Sequence, residues 1–235
     1  MARDDWYRNK EWDDEIELAF RTRLNRSRSL YNKTEYLRIQ ADYLLASSDP
    51  VLQGVGLSMM NELLADYPDI DDVIVNKFDA LVGLADYFYT KMKYEDAFVH
   101  YRKAIGYDIK KTHHQEHAYR GLIKSAVLSK HEEAYPIGLN YLDSTDGLGF
   151  VFLSEAYDHS LAAAMLYDAV GETDAAKDFA SLALRSLEQE SKIHPKDKPA
   201  ASEKELLFLV NLLSWFRNNC DLLKPTRLIP IYRSH

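Results

Sequence analysis

The sequence predicts an all-α fold, and three observations support this class. Apolar residues recur every three to four positions over most of the 235 residues, and no segment alternates apolar with polar residues. The links between the helical segments are short, so neighbouring helices are expected to pack antiparallel. Nine glycines and seven prolines are few for a fold with many strands and turns. We therefore expect about ten helices.

The first helix is predicted to begin near Trp12 and to bury a stripe of Ile16, Phe20 and Leu24. Acidic residues start it and a run of arginines ends it, which complements the helix dipole. The arginine run could instead form a nucleic-acid patch, but the acidic chain favours a solvated helix end. The arginines of this run are Arg21, Arg23, Arg26 and Arg28.

The link between the second and third predicted helices contains a clear signal for the start of a helix. Asp49 is predicted to cap a helix whose first residue is Pro50. The helices after the first are expected over residues 34–46, 50–67, 69–89, 94–107, 112–129, 132–142, 148–170, 173–191 and 202–218.

One pair of these helices carries a repeat pattern. Leu81-x-x-Leu84-Ala85-x-x-Phe88 is followed by Ala97-x-x-x-Tyr101-x-x-Ala104. This spacing resembles the tetratricopeptide repeat, in which small residues let two helices approach and large residues fill the space beside them. A second copy reads Ala163-Ala164-x-x-Tyr167 and then Ala176-x-x-x-Ala180-x-x-Ala183. Weaker copies lie around Gly121-Leu122-x-x-Ser125 and over 36–68.

The resemblance implies a right-handed superhelical solenoid of antiparallel helix pairs with capping helices at both ends. The expected divisions are an N-terminal cap over 1–33, repeats over 34–191, a C-terminal cap over 192–221 and an extended basic tail over 222–235. The opening segment 6–12 and the arginine run also resemble the start of uncharacterised bacterial proteins of this repeat type.

The resemblance further implies that the first helix of each pair lines a concave face that binds a protein or peptide segment. That face would mix acids with aromatic and aliphatic groups, which suits a basic or mixed-polarity segment. An alternative is that the acids form a solvated surface without a specific ligand. The candidate partner-binding residues are Asp79, Val82, Asp86, Tyr89, Glu116, Tyr119, Arg120, Ile123, Asp158, Leu161, Met165 and Asp168.

The segment KTHHQEH, residues 111–117, contains His-x-x-Glu-His and raises a different function. His113 and His117 are four residues apart on a helix, a spacing that can hold zinc, and Glu116 would be the general base. This alternative is a metal-dependent hydrolase. The preferred interpretation is a helix start in which Thr112 and Gln115 form a capping box, with no metal, cofactor or catalysis.

Composition restricts the remaining choices. A net charge of −8 disfavours nucleic-acid partners, and no apolar run is long enough to span a membrane. The single cysteine, Cys220, allows no internal disulfide, so we expect a cytoplasmic protein, of bacterial type. The tail 224–235 has three basic residues and no acidic side chain, so it could dock in its own groove or link two copies; the alternative is a frayed tail that does not dock.

Overall fold

The computed structural model describes residues 5–107, 113–145, 150, 152–193 and 202–212. Within these ranges every regular element is a helix, so the prediction of an all-α fold is confirmed. The ten α helices are α1 Asp14–Arg26, α2 Leu30–Leu45, α3 Pro50–Asp66, α4 Asp71–Thr90, α5 Tyr94–Ile105, α6 His113–Ser129, α7 Tyr135–Thr145, α8 Leu153–Ala169, α9 Thr173–Ile193 and α10 Glu203–Leu212, and a 3-10 turn Glu132–Ala134 precedes α7.

Local capping explains where the first helices begin. The Asp13 carboxylate accepts the Ile16 N–H at 2.8 Å, and the Asp49 carboxylate accepts the Val51 N–H at 2.8 Å. The predicted Asp49–Pro50 start is therefore confirmed. Helix α2 begins four residues before the predicted position 34, because Ser29 is its cap. Thr34 lies buried inside the helix, and its hydroxyl donates to the Leu30 carbonyl at 3.0 Å.

The chain divides into two compact units, Met1–Ser125 and Ala126–His235. In the first unit α2 packs on α3 and α4, and α4 packs on α3 and α5. Its core contains Phe20, Leu37, Met60, Leu63 and Leu84, each at most 1% exposed. Fully burying side chains of this size stabilises a fold by about 1.5–3 kcal/mol each.

In the second unit α8 packs on α9, and α10 contacts α9. Its core contains Leu161, Ala164, Ala180, Leu184 and Leu209. The tail 224–235, Cys220 and part of the expected C-terminal cap over 192–221 lie outside the described residues. Within the described ranges, no helix combines the length and apolar character needed to cross a bilayer.

The small residues of the repeat pattern are buried. Ala85 of α4 and Ala97 of α5 are fully buried, and so are Ala163 of α8 and Ala176 of α9. Since a methyl group takes little space, each position lets two helices of a pair approach closely. Burial of these alanines agrees with the role that the pattern assigned to them.

Three helices end in the same kind of turn. Met92, Lys130 and Gly171 have positive φ values of 59°, 63° and 84° and follow α4, α6 and α8. At each turn the next N–H reaches back five residues, as in the 2.9 Å bond from Lys93 N–H to the Phe88 carbonyl. The same bond runs from residue 131 to 126 and from 172 to 167, at 2.8 Å each. These are Schellman turns, and they recur about every 40 residues along the chain.

Candidate functional site

A row of charged side chains runs across α2 and α4 in the first unit. We define the charged row as Arg38 and Asp42 of α2 with Asp79 and Asp86 of α4. Spacings of four and seven residues place each pair on one face of its helix. Arg38 Nη1 donates to Asp42 Oδ2 at 3.0 Å, and Arg38 Nε lies 3.8 Å from Asp79 Oδ2. One guanidinium therefore serves two carboxylates on neighbouring helices.

Gly83 lies between the two acids of α4 and faces the same way. A Cβ at this position would lie 3.1 Å from Asp42 Oδ1, tighter than an ordinary contact. The missing side chain thus lets the Asp42 carboxylate lie directly against α4. This close approach explains why Asp42 responds to charges on both helices.

The carboxyl of Asp42 is an unusually weak acid. Its pKa is raised from 3.8 to about 6, mainly because burial removes surrounding water; Asp79 and Asp86 also raise it, and Arg38 opposes the rise. Its side chain remains 40% exposed, so water and a partner can still reach it. A second cation near this carboxyl would favour its charged form.

The Asp86 carboxylate joins the row to α5 and α6. The Tyr101 hydroxyl donates to Asp86 Oδ1, and His117 Nε2 lies 3.0 Å from Oδ1 and 3.1 Å from Oδ2. The Tyr101 ring, in turn, rests on the backbone of Gly121, where a Cβ would come within 2.2 Å of the ring. Asp86 is 44% exposed, so it is anchored from one side and open on the other.

The candidate partner-binding residues separate by burial. Asp79 and Asp86 belong to the charged row, Asp168 is exposed, and Tyr89, Glu116, Tyr119 and Asp158 are half-buried. Val82, Arg120, Ile123, Leu161 and Met165 are buried. Leu161 and Met165 belong to the core that α8 forms with α9 and α10, so they contribute to packing and not to an open face.

Two of the half-buried residues already contact cations of the same chain. Lys124 Nζ lies 5.0 Å from the centre of the Tyr89 ring, a cation–π contact. Arg120 Nη1 lies 4.0 Å from Glu116 Oε2. A basic partner would therefore meet acids and rings that are partly engaged, and Asp42 and Asp86 are more accessible than Asp79 within the charged row.

The proposed zinc motif is only partly described. His117 Nε2 contacts Asp86, while Thr112 and the side chain of His113 lie outside the described part of the chain. Among the described residues, no group of three or more His, Cys, Asp or Glu side chains could hold a metal ion. The hydrolase alternative and the capping box both remain predictions.

A cavity of about 670 Å3 lies between α3, α4 and α5. Its polar lining residues are Asn61, Asp69, His100, Lys103 and Tyr107. Behind them the buried Lys77 donates to Asp69 Oδ1 at 2.6 Å. Burial, with the Asp69 charge, raises the pKa of Tyr107. Since acidic and basic groups are both present, this cavity does not select a ligand of one charge.

Sequence reasoning missed Arg38 and Asp42. Their signal was the four-residue spacing of opposite charges on one helix. The unit over 36–68 matched the repeat pattern poorly, so its inner face was not assigned.

Comparison of the chain with protein-family models, with curated proteins and with solved structures finds no match in any of the three. The functional conclusion therefore depends on the chemistry of the charged row itself.

Proposed function

We propose that this chain is a non-catalytic protein-interaction module built from tetratricopeptide-like helix pairs. Packing of α2 on α3, of α4 on α5 and of α8 on α9 supports this, as does the Schellman turn that recurs about every 40 residues. The superhelical stacking of these pairs is part of the proposal. So is a cytoplasmic location, which is consistent with a single cysteine.

The partner is a protein or peptide segment that places a lysine or arginine on the charged row. The observation that carries this proposal is the acidic character of the row, in which the side chains of Asp42 and Asp86 remain 40% and 44% exposed. The neighbouring acids and lost hydration hold the pKa of Asp42 near 6. An incoming cation would stabilise the charged carboxylate, and this gain is available only to a basic partner.

Two roles fit such a module. An adaptor would bind a segment of one partner and present it to another. A neutralising partner, of the immunity type, would cover a basic surface of a toxic protein with one-to-one stoichiometry. The tail 224–235 lies outside the described residues and stays a predicted internal competitor for the same acids.

The test is capture of partners by the tagged full chain from its native host, followed by mass spectrometry. The site variant replaces Asp42→Asn with Asp86→Asn, which keeps an acceptor oxygen for Arg38 and for Tyr101. The matched control replaces Asp143→Asn with Asp178→Asn, two exposed acids of the second unit, so the net charge changes equally.

We expect one stoichiometric partner with a basic segment, lost from the site variant and retained by the control. Binding of that partner should weaken as salt rises, since exposed charge pairs are screened. A partner retained equally by both variants would refute binding through the charged row. Loss from both variants would indicate a general charge effect and would also contradict the proposal.

A further inference from the structure

A second cavity, of about 460 Å3, lies in the first unit and has the opposite charge to the charged row. Trp6, Arg23, Arg26, Ser27 and Tyr36 line it. Two exposed arginines and two aromatic residues thus line one small cavity. Its volume lies within the range of small-molecule sites, roughly 300–1,000 Å3.

The two arginines are not neutralised by the described residues. Arg21, nearby on the same helix, donates to Glu62 Oε1 at 2.7 Å and lies 3.6 Å from Glu17. In the described part of the chain, by contrast, no carboxylate lies within 4.0 Å of Arg23 or Arg26. The chain has a net charge of −8, yet these two guanidinium groups have no carboxylate partner among the described residues. Each is planar and presents paired N–H donors, a geometry that matches the oxygens of a phosphate.

We define the aromatic wall of this cavity as the rings of Trp6 and Tyr36, and other aromatic rings pack against both. Trp6 meets Tyr36 edge to face with ring centres 5.0 Å apart. Tyr36 stacks on Tyr7 at 4.6 Å, and Trp6 packs on Phe20 at 5.4 Å. Rings that are held by other rings keep their orientation, so a planar ligand would meet a preformed surface.

A buried glutamine fixes the turn that carries Trp6. Gln40 of α2 is fully buried and accepts both the Asn9 N–H at 2.9 Å and Asn9 Nδ2 at 2.8 Å. Gln40 Nε2 also donates to the Asn9 carbonyl at 2.8 Å, and Asn9 Nδ2 donates to the Trp6 carbonyl at 2.8 Å. These bonds hold residues 6–9 against α2, so the cavity does not depend on a ligand to order it.

We propose that this cavity binds a small ligand in which a phosphate is joined to a planar heterocycle, as in a nucleoside monophosphate. Arg23 and Arg26 hold the phosphate, and the heterocycle packs on the rings of Trp6 and Tyr36. Arginines that merely complement the carboxyl end of α1 would need no aromatic wall beside them. This site is separate from the charged row and does not depend on the function proposed for it.

The experiment is isothermal titration of the full chain with AMP at low salt. Adenosine tests the ring without the phosphate, and ribose 5-phosphate tests the phosphate without the ring. The site variant is Arg23→Gln with Arg26→Gln. The matched control is Arg28→Gln with Arg185→Gln, two exposed arginines that do not line the cavity. Circular dichroism checks that both variants keep their helices.

We expect AMP to bind the native chain, and adenosine and ribose 5-phosphate to bind at least about tenfold more weakly. The site variant should bind AMP about 100-fold more weakly, roughly tenfold for each arginine, and the control within about twofold of the native chain. Absence of AMP binding up to about 10 mM would overturn the proposal. So would equal binding by the site variant, or ribose 5-phosphate binding as tight as AMP.

Discussion

Replacing Gly121→Ala should destabilise the protein, although general helix propensity predicts the reverse. Gly121 lies inside α6, where alanine is normally more stable than glycine by about 1 kcal/mol. Here a Cβ would lie 2.2, 2.5 and 2.7 Å from three atoms of the Tyr101 ring. The ring is only 2% exposed, so it has little room to move away.

The size of this loss in stability follows from the contacts that the Tyr101 ring loses when it is displaced. Overpacking a filled core costs about 1–3 kcal/mol. Displacing Tyr101 also weakens the hydroxyl bond to the Asp86 carboxylate, which adds about 1.5–3 kcal/mol for a bond to a charged group. After subtracting the propensity gain of about 1 kcal/mol, the free energy of unfolding should fall by about 1.5–5 kcal/mol.

Urea unfolding of the full chain, followed by circular dichroism, measures this loss. Gly54→Ala in α3 is the matched control, because a Cβ built there meets no atom within 4 Å beyond its own turn of helix. This variant should be more stable than the native chain by about 0.5–1 kcal/mol. In a Tyr101→Ala background, Gly121→Ala should cost less than about 1 kcal/mol, since the ring that it strikes is gone.

A Gly121→Ala protein as stable as the native chain would refute this reasoning. So would a full loss of stability in the Tyr101→Ala background, because the damage would then not pass through the ring. Either result would mean that α6 and α5 are not packed as closely as the structure shows.

Three further predictions concern a turn, a carboxyl and the N-terminal segment. Met92→Gly should stabilise the chain by about 1 kcal/mol and Gly171→Ala should destabilise it by a similar amount, since both positions need positive φ; thermal unfolding of the two variants checks the opposite signs. The pKa of Asp42 is raised when folded, so the folded state holds its proton more tightly than the unfolded state between about pH 4 and 6. The native chain should therefore lose stability relative to Asp42→Asn as pH rises through this window, and a gap that does not change with pH in urea titrations would contradict the raised pKa. Gln40→Ala should cost about 2–4 kcal/mol, because it breaks three bonds to Asn9 and leaves their groups unpaired. Amide exchange should rise at residues 5–9 in this variant, and unchanged protection there would count against the glutamine as the anchor.

Much of the fold could be predicted because its signals are local. Helix periodicity gave the all-α class, and the caps Asp49 and Pro50 act within one turn of the helix that they start. The alanines at 85 and 97 were assigned to helix contacts and are fully buried. By contrast, α2 begins before Thr34 because a weak serine cap at 29 is sufficient once the helix is packed.

The candidate sites depend on pairs of residues far apart in the chain. Three contacts form only after the helices pack: those between residues 9 and 40, 42 and 83, and 101 and 121. The periodicity within a single helix does not predict them. For the same reason several residues expected on an open face, such as Leu161, proved to be core. Sequence alone thus determined the helices, their caps and the small residues at their contacts, since these depend on neighbours within about four positions. Only the tertiary structure decided which charges and rings share a surface, because that depends on how one helix face meets another.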